Sequence, residues 1–199
     1  MADFKPVLVL ILKNEGGWVD DPDDNGGETW QGVARNYYPN WKGWAIIDRI
    51  KKANPKATAK AIGGKPSILN TALYAQTDLK IMVAEFYEAL YWDVNKLDFV
   101  KDQQLAQNVC DCGVNCGTST GARMLQRAYN LVRYSEASEL VVDGKIGNST
   151  LTAINSINAC LIYEQYNVLR KAYYDAIIAR KPSQIKFKKS WYSRIIPYK

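Results

Sequence analysis

Residues 14–32 read NEGGWVDDPDDNGGETWQG and place six acids (Glu15, Asp20, Asp21, Asp23, Asp24 and Glu28) within fourteen positions. No Lys or Arg interrupts them, although the whole chain carries a formal charge of +6. Carboxylates on glycine-rich backbone can hold a cation, shape turns, or move protons. For a calcium loop, Asp21, Asp23, Asn25 and Gly26 fit positions 1, 3, 5 and 6 of an EF-hand, but position 12 falls on Gly32, where a bidentate Glu is needed. The aspartates and Asn25 suit turns, because their side chains accept hydrogen bonds from nearby backbone N–H groups.

The chain contains no histidine. That excludes Ser-His-Asp and Cys-His nucleophilic catalysis and the His-rich catalytic zinc sites. Proton transfer must fall to carboxylates, Tyr, Lys or Cys. Among the acids Glu15 stands apart. It lies four residues after Ile11 and eight after Val7, so it continues the apolar stripe of its helix. A carboxylate at that place loses hydration, and desolvation raises its pKa. Such an acid, still protonated, can donate to a glycosidic oxygen. The reaction needs a second group as well, at about 5–5.5 Å in retaining and 6.5–9.5 Å in inverting glycosidases. The glycine-rich turn after Glu15 can fold back and supply it.

The elements that must position these groups read mainly as helix. Phe4, Val7, Leu8, Ile11 and Leu12 recur at helical spacing, with Asp3 placed to cap, Pro6 in the first turn and Gly16-Gly17 as a stop. Residues 18–33 read as turns or a short hairpin, being dense in Asp, Asn, Gly and Pro. Residues 39–66 read as irregular and basic, with one short helix near residues 46–53. A helix is expected over residues 77–91, with Leu79, Val83, Phe86, Tyr87 and Leu90 on one face. Another should run over 104–113, and one over 119–134 with Met124, Leu125, Ala128, Leu131 and Val132 turned inward. The longest covers 161–180, with Ile162, Tyr166, Leu169, Tyr173 and Ile177 along its stripe. VVDGKIGNST, residues 141–150, joins a DG turn to a Ser/Thr-rich helix start.

With 199 residues and 47% apolar content, the composition is that of a soluble globular protein of one domain or two small ones. No apolar run approaches the ~18 residues of a membrane span, so stable membrane insertion is not expected. No small-residue cleavage site follows the apolar run of residues 7–12, and a secretory signal is not expected. Cys110, Cys112 and Cys116 crowd into seven residues. That spacing, like the isolated Cys160, suits buried packing better than a disulfide framework or a zinc site. Beyond Asp175 lie seven basic residues and no acid, a face either solvated or attracted to anionic polymer. Trp18 and Trp30 flank the carboxylate turn and are the rings placed to line a glycan cleft.

Many of these residues also form an ordered set. Glu15-Gly16-Gly17, Asp21-Pro22, Asp24, Gly26-Gly27, Thr29, Gly32 and Val33 resemble the signature of glycoside hydrolase family 108. Its members are lysozyme-like N-acetylmuramidases found as phage endolysins, some labelled secretion activators. Tyr91-Trp92, DCGVNCG at 111–117, LQRA at 125–128, VDGKIG at 142–147 with Thr150, and WYSR at 191–194 extend the resemblance over nearly the whole chain. The chain departs from the pattern at Cys110, Cys112 and Cys116, at Asp20 where Asn is common, and in the longer, more basic residues 39–75.

The resemblance implies a mainly helical, lysozyme-like fold with a small β-hairpin after the first helix. It implies a catalytic region over residues 1–98 and a helical peptidoglycan-binding region over residues 99–199, packed together. Glu15 is then the catalytic acid. Its counterpart is either Asp24, standing across the site, or a water held by Thr29 while Asp24 pins the hairpin. Trp18, Asp20, Trp30 and Asn115 are the substrate-binding candidates, and neither metal nor other cofactor is expected. The implied activity is cleavage of the β-1,4 bond between N-acetylmuramic acid and N-acetylglucosamine in peptidoglycan glycan strands, by hydrolysis or with release of an anhydro product. The alternative is a catalytically silent wall-binding or secretion-assisting protein. Nucleic acid is not an expected partner, since the acidic turn would repel phosphates. Synthesis in the cytoplasm and action at the cell wall after non-Sec release complete the expectation.

Overall fold

The structure is a computed structural model that describes residues 1–21 and 26–199, the side chain of Asn14 apart. Helix α1 (Phe4–Asn14) forms where its stripe predicts. Asp3 caps it, accepting from the Lys5 amide at 3.0 Å, and Phe4, Val7 and Ile11 are buried. The chain divides into two packed units: Leu8–Glu88, and Met1–Val7 together with Ala89–Lys199.

The unit Leu8–Glu88 begins with a three-stranded antiparallel sheet of two-residue strands, β1 (Trp18–Val19), β2 (Thr29–Trp30) and β3 (Val33–Ala34), in the order β1-β2-β3. Trp18 pairs with Trp30, and Trp30 with Val33. Gln31 and Gly32 join β2 to β3 with φ of 44° and 81°, both positive as a type I′ hairpin turn requires. Three helices follow: α2 (Gly43–Ala53), α3 (Pro55–Ile62) and α4 (Ser67–Tyr74). This corrects the irregular reading of residues 39–66. Helix α3 starts on Pro55, where a missing N–H costs nothing, and buries only Ala57 and Ala61. A stripe that short leaves no clear period between the Asn-Pro and Gly-Gly punctuation. Helix α5 (Thr77–Tyr87) buries Leu79, Val83, Phe86 and Tyr87 as expected. Its continuation, Glu88–Trp92, is a π-helical turn; the extra residue per turn rotates the face, and Leu90 is exposed rather than inward.

In the second unit, α6 (Gln103–Cys116), α7 (Thr118–Val132) and α9 (Ala159–Arg180) pack on one another. Asp102 caps α6 by accepting from the Leu105 amide at 2.7 Å. Helices α6 and α7 cross closely at Gly121, where a Cβ would lie 3.2 Å from the Val109 carbonyl oxygen. Met124, Leu125 and Ala128 are buried on α7, but Leu131 is exposed near its end. Helix α9 buries Ile162, Tyr163, Tyr166, Asn167, Arg170 and Tyr174, while Leu169, Tyr173 and Ile177 are half-buried. Its core face is thus rotated from the apolar stripe expected, because Arg170 is drawn inward by partners on α6. Helix α8 (Asn148–Ile154), a 3₁₀ turn (Pro182–Phe187) and α10 (Lys188–Ser193) complete the unit.

Both chain ends are tied into this second unit. The Ala2 amide donates to the Val100 carbonyl at 2.9 Å and the Asp3 amide to Gln103 Oε1 at 2.7 Å. At the other end, the Ile196 carbonyl accepts from Tyr163 Oη at 2.8 Å and from Asn167 Nδ2 at 2.9 Å. Tyr198 Oη donates to Asp102 at 2.7 Å. The protein is therefore mainly helical with one small antiparallel sheet after its first helix, and no helix among the described residues is long and apolar enough to cross a membrane.

Candidate active site

Glu15 sits one residue past the end of α1. Its amide still donates to the Ile11 carbonyl at 3.2 Å, so the backbone keeps its helical path and the side chain is half-buried. Facing it is the tip of the β2–β3 hairpin. A Cβ built on Gly32 would lie 2.8 Å from Glu15 Oε2 and inside contact distance of Tyr87 Oη. The acid that follows α1, the phenol from α5 and the hairpin tip thus pack against one point, so closely that no side chain fits at position 32. Tyr87 Oη donates to the Gln31 carbonyl at 2.8 Å and fixes the turn from beneath. Gln31 is a buried, non-glycine residue at positive φ, a conformation that costs about 1–3 kcal/mol and persists where its surroundings enforce it.

A buried carboxylate holds the rest of the hairpin. Glu28, 8% exposed, accepts from Trp18 Nε1 at 2.6 Å and from Lys51 Nζ of α2 at 2.7 Å. Arg35 Nε lies 3.0 Å from its other oxygen, with an approach outside hydrogen-bond geometry that leaves the contact Coulombic. Arg35 also reaches Asp48 at 2.8 Å and stacks over Trp44 at 4.5 Å. Engaged by the Trp18 indole and two cations, Glu28 holds the strands together. Asn70 of α4 holds the entry to β1, accepting from the Trp18 amide at 2.8 Å. It fills the space beside Gly17, where a Cβ would lie 2.5 Å from its Nδ2.

The other sequence-derived candidates fall out as follows. Trp18 and Trp30 are core residues, each 1% exposed, which corrects their reading as cleft-lining rings. Their cross-strand pairing puts both indoles on the inward face of the sheet, with Trp30 against Tyr74 at 4.9 Å. Thr29 is half-buried and its Oγ1 donates to the Gly27 carbonyl at 3.1 Å. Asp20 is exposed. Asp24 lies outside the described residues, as do Asp23 and Asn25 of the tested calcium loop. Tyr87, Gln31 and Asn70 escaped the sequence reading: Tyr87 counted as an apolar position of α5, and the Gln-Gly pair between Trp30 and Val33 was the hairpin signal for the turn.

Residues 8–117 match the family model described as glycosyl hydrolase 108. The chain belongs to that family. Residues 120–196 match a second model, described as a predicted peptidoglycan domain. Among solved structures the chain is similar to SagA of Brucella abortus, with 22% identity over 96% of this chain and 88% of that one and a TM-score of 0.58. At that identity the likeness is one of fold. No curated protein matches the chain.

The glycosyl hydrolase 108 segment and the peptidoglycan-domain segment meet in a polar core of the second unit. Arg170, fully buried, donates to Asp111 at 2.5 Å, to Asn108 at 2.9 Å and to Tyr174 Oη at 2.9 Å. Arg194 reaches the other oxygen of Asp111 at 2.7 Å. Asn115 serves this core, its Oδ1 accepting from Tyr174 Oη at 2.8 Å. All four cysteines are free, with Cys110 and Cys112 buried. A hydrogen bond from the Cys116 thiol, helped by nearby Arg170 and opposed by burial, lowers the Cys112 pKa to about 7, and the Cys116 thiol is pushed up in return. Burial pushes the Cys110 thiol up, and the Asp111 charge adds to it. Helix α6 ends the first family segment in sequence, yet it packs with the second unit.

Proposed function

We propose that the protein is a peptidoglycan-cleaving glycosidase, an N-acetylmuramidase that cuts the β-1,4 bond between N-acetylmuramic acid and N-acetylglucosamine with Glu15 as general acid. Beyond family membership, the observation that supports this reading is the packing of the half-buried Glu15 carboxyl and the Tyr87 hydroxyl against the backbone of Gly32 at the hairpin tip. Glu15 donates its proton to the departing glycosidic oxygen as the sugar takes on oxocarbenium character. Asp24, or a water held by Thr29, completes the step. Tyr87 keeps the Gln31-Gly32 tip from closing on the acid. Glycan strands of the cell wall are the substrate.

The test is turbidity clearing of purified walls, with mass spectrometry of the released muropeptides. Glu15→Gln should reduce clearing by at least ~100-fold, the scale of a lost general acid. New reducing ends should fall on N-acetylmuramic acid. Equal clearing by both proteins would sink the assignment. Wall retention by the wild type with no new ends or anhydro products would instead assign it to wall binding.

A further inference from the structure

Helix α7, residues 138–147 and α8 enclose a cleft of about 710 Å³ in the second unit. The loop that walls it is pinned from α7. Asn130 pairs with both the N–H and the carbonyl of Leu140 at 2.8 Å. Gln126, buried, donates to Asp143 at 2.8 Å and to the Lys145 carbonyl at 3.0 Å, and accepts from the Gly144 amide at 2.9 Å. Gly144 holds the turn at φ +79°, where a Cβ would come within 2.9 Å of the Ser119 carbonyl oxygen. The cleft is thus preformed, and it leaves specific groups unused. The side chains of Ser138, Asn148, Ser149 and Thr152 are exposed and make no hydrogen bond among the described residues. The acids, by contrast, are engaged: Glu139 by Arg133 at 2.9 Å, and Asp143 by Gln126 and the Lys145 amide. The Lys145 ammonium is exposed and has no ion-pair partner among the described residues.

What the cleft lacks is equally informative. A pyranose presents C–H faces that pack on open aromatic rings, and the one ring in this lining, Tyr129, is 3% exposed. Val141, 78% exposed, supplies a small apolar surface instead. Amide and hydroxyl groups for a backbone, a valine for methyl side chains and a lone cation for a terminal carboxylate fit a peptide. We infer that this cleft binds the peptide stem of peptidoglycan, with its C-terminal carboxylate on Lys145, and not the glycan. The inference rests on the cell-wall reading above but is independent of cleavage at Glu15.

The experiment is calorimetric titration of the full chain with N-acetylmuramyl pentapeptide, its C-terminal amide, and a peptide-free muramyl-glucosaminyl tetrasaccharide. The pentapeptide should bind. Amidation and Lys145→Gln should each weaken it about tenfold, and together no more than either alone, as expected for two halves of one contact. Cleft binding of the tetrasaccharide as tight as that of the pentapeptide, or indifference of the pentapeptide to Lys145→Gln, overturns the inference. Because Lys145 is exposed, loss of folding does not confuse the result, and circular dichroism checks it. Walls cleared by a protein that ignores the pentapeptide overturn this inference alone. Pentapeptide binding without wall cleavage supports it and overturns the glycosidase reading.

Discussion

Glu28 in the unit Leu8–Glu88 and Arg170 in the second unit are both charges taken out of water, one an anion under a hairpin and the other a cation between helices. Their partners differ in freedom. Lys51 and Arg35, which hold Glu28, keep side-chain exposures of 21% and 31%. Arg170 is at 0%, and Asp111, shared with Arg194, is at 16%. Around Glu28, water can replace a lost cation, so the cluster acts as an adjustable clamp on the strands that face Glu15. Around Arg170 no such replacement exists, and three acceptors from two helices depend on one guanidinium. Buried charge therefore shapes a site in one unit and specifies helix packing in the other.

The sharpest way to break this contrast is Arg170→Met. It should cost about 3–5 kcal/mol, because Asp111, Asn108 and Tyr174 lose a common partner in the interior. Urea denaturation reads it, and a loss below about 1 kcal/mol would erase the difference between the clusters. Glu28→Gln should cost less, about 1–3 kcal/mol, since an acceptor for the Trp18 indole remains while Lys51 and Arg35 turn to solvent. Wall clearing by that variant should fall along with its stability if the clamp sets the hairpin.

Gly32→Ala comes next, at about 1–3 kcal/mol of backbone strain from a φ of +81°. Its effect on clearing should be far larger than on stability, because the new methyl group crowds Glu15 and Tyr87. Full activity in a folded Gly32→Ala protein would mean that the close packing of Glu15 and Tyr87 on the hairpin tip does not matter for cleavage. Lys51→Met, which takes one of two half-buried cations from Glu28, should cost about 1–3 kcal/mol in a thermal melt.

The smallest effect is on acid stability of the second unit. The Gln126 amide holds the Asp143 carboxyl below its ordinary pKa, and the Tyr192 hydroxyl does the same for Asp175. Depressed folded values mean stabilisation that is complete above the ordinary aspartate pKa and lost as pH falls through the folded ones. Thermal melts should therefore drop as pH is lowered through and below that range. Asp143→Asn should flatten the slope, and an unchanged slope would remove this carboxylate from the account.

The parts legible in sequence are those whose signal is local and repeated. Asp3 followed by Phe4, Val7 and Ile11 announces α1, and Glu15 draws notice because it prolongs that series. The turn residues around Gly26 and Gly32 marked the sheet. Helices α3 and α4 were not legible, because each is only eight residues long and has only two buried apolar positions, Ala57 and Ala61 in one and Leu69 and Leu73 in the other. Leu90 and Leu131 were placed inward by extending a period past the point where a π turn or a helix end breaks it. Tyr87 and Arg170 were missed for a common reason: each has a polar end whose partner lies far away in the chain, Gln31 for one and Asn108 and Asp111 for the other. Sequence spacing reports which face a residue occupies and is silent on what waits there.

The division of the chain has a consequence for the order in which the protein is made. The unit Leu8–Glu88 is continuous, so all of it is synthesised before α6 is. Met1–Val7 belong with residues translated much later and must wait for them. Asp111, Asn167 and Asp102 receive their last partners only from Arg194, the Ile196 carbonyl and Tyr198. A nascent chain not yet extended to Arg194 would thus hold every residue of the hairpin, while the helical unit still lacks the partners of Asp111, Asn167 and Asp102.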